Sequence, residues 1–255
     1  MPALETALRA ARDRGRKAFL PYVTGGYAGV DAALLRGLAD AGADAIEVGI
    51  PHSDPIIDGG VVQQASADAL AAGVTVEDVF ATIHEAGVGV PVVVMTYVNP
   101  VLRRGEDAFL GAAAAAGAGA VIVPDLPADE AGTFVGLARA HAIDPVLLAA
   151  PGTTPARLRA VAEAAGGFVY CVATYGVTGA RETLAGTAAE LVAALRPLTD
   201  LPLLVGVGIG TPAAATEACG FADGVIVGSA LMRALIDDGP AAAVALASAF
   251  RAATS

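Results

Sequence analysis

The sequence predicts an α/β protein. It reads as a single closed (β/α)8 barrel, the TIM-barrel architecture, with an extra N-terminal helix. Three observations carry this. Eight short apolar runs alternate with Ala-rich segments of helical period along the whole chain. Runs such as VVVM and VIV are apolar throughout, as strands buried on both faces are. The 255 residues show no break in composition, so residues 1–255 read as one domain. Their number matches the ~250 typical of one such barrel.

The elements follow in order. Residues Ala3 to Arg12 form the extra helix, with Leu4, Ala7, Leu8 and Ala11 on one face. The strands are Phe19–Val23, Ala45–Gly49, Pro91–Tyr97, Ala120–Val123, Pro145–Leu148, Phe168–Val172, Pro202–Val207 and Gly224–Val227. Asp31 caps a helix that runs to Ala41 and stops at Gly42. The segment after the second strand is longer than the others and adds a helix over Thr75 to Glu85. Glu106 to Ala116 ends at Gly117, Ala128 to Ala140 follows Pro127, and Thr154 to Ala165 ends at Gly166. Thr187 to Leu195 stops before Pro197, Thr211 opens the next helix with Pro212 in its first turn, and Pro240 to Ala253 closes the chain. The alternative is a doubly wound open sheet, which needs a ligand signature after its first strand. That place holds Thr24 to Gly29, TGGYAG, which is not GxGxxG. The later GVGIG also misses that spacing.

Composition narrows the function. A net charge of −11 opposes bulk binding to nucleic-acid phosphates, though not one phosphate held by backbone amides. Mean hydropathy is high at +0.64. Even so, the charge-free stretches Ala86 to Leu102 and Ala108 to Pro124 are short for a membrane span and broken by Gly and Pro. The N-terminus mixes Arg9, Arg12, Arg14 and Arg16 with Glu5 and Asp13 and has no apolar core, unlike a secretory signal. Cys171 and Cys219 read as buried thiols in a reducing cytoplasm. His52, His84 and His141 are scattered, and neither they nor the cysteines have metal-ligand spacing, so no metal site is expected.

A barrel of this kind carries its chemistry at the C-terminal ends of its strands. In the second strand, Ile46 and Val48 share one face and Ala45, Glu47 and Gly49 the other. If Ile46 and Val48 meet helices, Glu47 points into the barrel. Desolvation there raises its pKa and suits it to move protons near neutral pH. Taken alone, a strand Glu such as Glu47 favours the reading of a structural acid paired with a buried base. The Pro/Gly-shaped segment that follows, GIPHSDPIIDGG, adds Asp54 and Asp58, whose bland reading is turn chemistry. Two acids from one strand and its loop converge over a barrel mouth. Later, strand seven runs into GVGIG and strand eight into Gly228-Ser229-Ala230-Leu231, which opens a short helix. Both offer unhindered amides to a phosphate. Gly176-Val177-Thr178-Gly179 after strand six supplies a third contact and a lid.

These residues resemble the tryptophan synthase alpha chain family. The resemblance rests on IEVGIP with SDP and DG, on FLPYVTGG, MTYVNP, PDLP, GVTG, GVGI and VGSA, in that order over nearly the whole chain. It implies a lyase that cleaves indole-3-glycerol phosphate to indole and glyceraldehyde 3-phosphate by retro-aldol chemistry, with no cofactor of its own. By position, Glu47 matches the general acid/base and Asp58 the carboxylate that binds the indole N–H. Gly179, Gly208, Gly228 and Ser229 match the phosphate site, and Thr178 the lid residue that closes onto Asp58. Tyr22, Tyr97, Ile122, Leu148, Tyr170 and Ile226 would line the indole slot, although each is also an ordinary barrel-core residue.

The sequence departs from the family pattern at a few places. His52 stands where Phe is usual, Gly60 where Pro is common, Ala173 and Tyr175 where small hydroxyl residues precede the lid, and Val207 where a larger aromatic packs. The resemblance also implies a partner, the pyridoxal-phosphate beta chain, in an α2β2 heterotetramer. Asp54 is then a candidate contact, and indole passes between the two sites. A stand-alone lyase that releases free indole is the alternative.

Overall fold

The computed structural model describes residues 3–173 and 181–255. Its strands are β1 (Ala18–Thr24), β2 (Ile46–Gly49), β3 (Val92–Met95), β4 (Ala118–Ile122), β5 (Asp144–Ala149), β6 (Val169–Val172), β7 (Leu203–Gly206) and β8 (Gly224–Val227). They pair in parallel in chain order and close into a barrel as β8 pairs with β1. The open-sheet alternative is thereby excluded. The helices are α1 (Ala3–Asp13), α2 (Ala32–Asp40), α3 (Gly60–Ala71), α4 (Val76–Ala86), α5 (Val98–Arg104), α6 (Glu106–Ala116), α7 (Gly132–Ala140), α8 (Pro155–Ala164), α9 (Arg181–Leu195), α10 (Pro212–Cys219), α11 (Ser229–Asp238) and α12 (Pro240–Ala253).

Local chemistry explains the helix boundaries. The Asp31 side chain accepts the Leu34 N–H at 2.9 Å, and Thr75 and Asp78 cap each other reciprocally at the start of α4. Thr154 and Thr211 cap α8 and α10, each followed by proline at the first helical position. Gly87 and Gly117 end α4 and α6 in the left-handed conformation.

The chain differs from the sequence reading in four places. β3 stops at Met95, and Val98–Arg104 turns into α5, because Pro100 sits in a first turn where its missing N–H costs nothing. The α7 helix begins at Gly132 instead of Ala128, because the Glu130 and Ala131 N–H groups bond to Pro127 and Ala128 in a turn. The α9 helix begins at Arg181, six residues before Thr187. The long segment after β2 holds α3 as well as α4.

Two apolar layers and a plug make up the core. Ile46, Val48, Val92, Val94, Val121 and Val123 face the outer helices, while Leu20, Ala45, Val93, Ala120, Val146, Leu204 and Ile226 fill the interior. Leu4 and Leu8 of α1, 0% and 1% exposed, join that interior cluster. The Glu5 N–H donates to Asp144 Oδ2 at 3.3 Å. Buried Asp44 accepts from Phe19 N–H and from both Arg16 and Arg251, tying α12 to the first two strands. The plug fills one end of the barrel interior, and the C-terminal mouth is where a barrel of this kind carries its site.

Candidate active site

Glu47 lies in the middle of β2, in register with Tyr22 of β1 and Val93 of β3. Ile46 and Val48 pack outward, so Glu47 points into the barrel, as alternation predicts. It is 3% exposed, and its Oε2 has no hydrogen-bond partner among the described residues. Burial, and then the Asp58 carboxylate, push its pKa up to about 8. Among the described residues no base is bonded to Oε2, unlike a structural acid held by a buried base.

Asp58 stands at the end of the β2–α3 loop, half-buried. Burial raises its pKa to about 6, against the lowering effect of a hydrogen bond from Tyr97. The Tyr97 hydroxyl donates to Asp58 Oδ2 at 3.0 Å and accepts the Ile57 N–H at 3.2 Å. The sequence reading placed Tyr97 in an apolar wall and missed this role. The available signal was a Tyr two residues past strand three, next to the strand whose loop carries Asp58.

Tyr22 and Tyr170 complete the polar group. Burial comes first in raising both phenols well above their ordinary range, with Glu47 and Asp58 adding to each. All four side chains therefore share one electrostatic neighbourhood. The Tyr22 hydroxyl lies 3.3 Å from Thr24 Oγ1. The rings also explain two glycines: a Cβ at Gly49 would overlap the Tyr22 ring, and one at Gly206 the Tyr170 ring. Ile122 and Ile226 are interior packing at 1% and 3% exposed, while Leu148 and Tyr170 are partly exposed at the edge of the same cluster.

Gly208, Gly228 and Ser229 sit at the rim. Gly208 needs glycine for its φ of +95°, and neighbouring Val207 holds a strained φ of 64°. Gly228 precedes α11, whose first turn leaves amides without intrahelical partners. A Cβ at Gly59 would lie 3.4 Å from Ser229 Oγ, so the acid loop adjoins this helix start. Asp54 is exposed within the β2–α3 loop. Ala173 is buried and donates its N–H to the Gly206 carbonyl. Thr178 and Gly179, with Tyr175, lie outside the described residues.

The fold and site define a class: a (β/α)8-barrel protein whose closed floor and acidic mouth suit acid–base chemistry on a small molecule. Comparison with known proteins narrows it. The chain belongs to the tryptophan synthase alpha chain family, whose model matches residues 8–253. It is 45% identical over 240 residues to the tryptophan synthase alpha chain of Mycobacterium avium, covering 93% of this chain and 89% of that one. It is 43% identical over 238 residues to that of Streptomyces avermitilis, covering 92% and 86%. Among solved structures, tryptophan synthase of Mycobacterium tuberculosis superposes with a TM-score of 0.91 at 42% identity, covering 98% of this chain and 97% of that one. The alpha subunit of Legionella pneumophila superposes at 0.90 with 32% identity, covering 100% and 98%.

Proposed function

We propose that this chain, acting as one barrel domain over residues 1–255, cleaves indole-3-glycerol phosphate to indole and glyceraldehyde 3-phosphate. The observation that carries the proposal is Glu47: inward on β2, buried, without a partner at Oε2, and held protonated near neutral pH beside a second acid. A buried carboxylic acid of this kind donates a proton where a carboxylate cannot. Glu47 protonates indole C3. Asp58 accepts the indole N–H and balances the positive charge that develops on the ring. The Glu47 carboxylate then takes the hydroxyl proton from the neighbouring side-chain carbon. The carbon–carbon bond breaks, its electron pair returns to the ring, and the aldehyde forms.

The other assignments follow the shape of this substrate. Tyr22, Leu148 and Tyr170 flank the flat apolar half. Gly208, Gly228 and Ser229, with the α11 amides and Gly179, hold the phosphate. Thr178 closes the lid. A pyridoxal-phosphate beta chain receives the indole in an α2β2 assembly, with Asp54 at the contact. We place the chain in the cytoplasm, where the buried thiols of Cys171 and Cys219 stay reduced.

The test is indole release from indole-3-glycerol phosphate by the purified chain, with and without a beta chain. The chain contains no Trp, so indole fluorescence is read against a quiet background. Slow release that rises sharply with the partner is expected, because ordering of the loops completes the site. Equal turnover in both arms overturns the partner's role, and fast release alone points to a free lyase. Cleavage by Glu47→Gln overturns the acid–base assignment.

A further inference from the structure

The structure assigns His52 as a positioning residue for Asp58 that acts through the Tyr97 ring. This rests on the reading of Asp58 above and adds to it a residue that departs from the family pattern. The His52 imidazole stacks on Tyr97 with ring centroids 4.5 Å apart and planes 14° from parallel. At the other end of the ring, the hydroxyl donates to Asp58 Oδ2 and accepts from Ile57 N–H. His52, Ile57 and Asp58 all belong to the β2–α3 loop, so one loop grips Tyr97 at its face and at its tip. The ring's own backbone is fixed from a third side, because Val98 N–H donates to Asp125 Oδ1 at 2.8 Å. Tyr97 is 3% exposed and has little room to tilt while His52 covers it.

The consequence is a division of labour at the carboxylate. Tyr97 occupies Oδ2, and the substrate N–H is left to Oδ1. Loss of the imidazole face frees the ring to tilt, and the hydroxyl no longer meets Oδ2 in line. The ionised form of Asp58 then loses a donor, so Asp58 takes up its proton at higher pH. Among the described residues, the other groups that share this neighbourhood are Glu47 of β2, Tyr22 of β1, Tyr170 of β6 and Asp125 after β4. None is a cation that offsets the loss.

The experiment compares His52→Ala, His52→Phe, Tyr97→Phe and the His52→Ala/Tyr97→Phe double variant in the full chain. Two readouts are taken: the acid limb of kcat/KM against pH, and the titration of the Asp58 carboxyl by carbon NMR without substrate, assigned with Asp58→Asn. His52→Ala is expected to move both upward by about half to one pH unit, as loss of one charge-assisted hydrogen bond does. His52→Phe restores the wild-type values, because a flat ring is what the site uses. The double variant moves no further than Tyr97→Phe alone. A general loss of stability lowers the active fraction without moving either titration. Unmoved titrations in His52→Ala, failure of His52→Phe to restore them, or additive shifts in the double variant each overturn the assignment. The NMR arm reads Asp58 whatever the substrate, so failure of wild-type cleavage is distinguished from failure of the positioning role.

Discussion

Replacing Glu47 by Gln should make the protein more stable and inactive at the same time. In the unfolded chain this carboxyl ionises near its ordinary value of 4.5, and in the folded barrel only near 8. Below pH 4.5 it is protonated in both states and costs nothing on this account. As pH rises, the unfolded state ionises first and is favoured, so folding stability is lost progressively until the folded group ionises too. The span of about 3.5 pH units, at about 1.4 kcal/mol each, corresponds to a penalty of roughly 3 kcal/mol at pH 7 and about 5 kcal/mol above pH 8. Gln has the shape of the protonated acid and never ionises, so it escapes the penalty. Urea unfolding of wild type and Glu47→Gln from pH 4 to pH 9 gives the comparison. The expected result is near-equal stability at pH 4 and a gap in favour of Gln that widens to several kcal/mol and levels off above pH 8. A gap that is flat with pH, or a variant weaker than wild type at pH 8.5, would refute the argument that Glu47 is held protonated by burial.

On the proposed mechanism, Glu47 and Asp58 together set the pH dependence of cleavage. Asp58 works ionised and Glu47 protonated, so kcat/KM should rise with pH through about 6 and fall through about 8; a profile without the alkaline limb contradicts the role of Glu47. Arg251→Met removes one of the two cations on buried Asp44 and should cost about 3 kcal/mol in urea unfolding, with little change in kcat of the folded fraction. Val207→Gly relieves a β-branched residue at φ 64° and should raise the thermal midpoint, by about 0.5–1 kcal/mol in stability; a lower midpoint means the backbone there is not strained. Gly206→Ala should clash with the Tyr170 ring and lower both stability and cleavage, seen as a lower melting point and a raised KM.

Much of the architecture was legible because it is written in short-range pattern. The eight apolar runs correspond one for one to β1–β8, and Glu106–Ala116 matches α6 end to end, since a Gly on each side marks its bounds. Asp31, Thr75, Thr154 and Thr211 each announce a helix start by a side chain that reaches the next turn. The inward direction of Glu47 follows from alternation once its neighbours face helices. The missed pieces are those where pattern competes with a turn. MTYVNPVL reads as more strand, yet bends after Met95 into α5.

The sequence by itself therefore determined the barrel, its strand order and the segments that reach its mouth. Periodicity and capping act over a few residues and need no knowledge of the rest. Only the tertiary structure decided which oxygen of Asp58 is already occupied, that Oε2 of Glu47 has no partner among the described residues, that His52 lies against Tyr97, and why Gly49 and Gly206 must lack a side chain. Those facts depend on distances between residues tens of positions apart and on the exclusion of water from the space between them. Both arise only when the strands close into a ring.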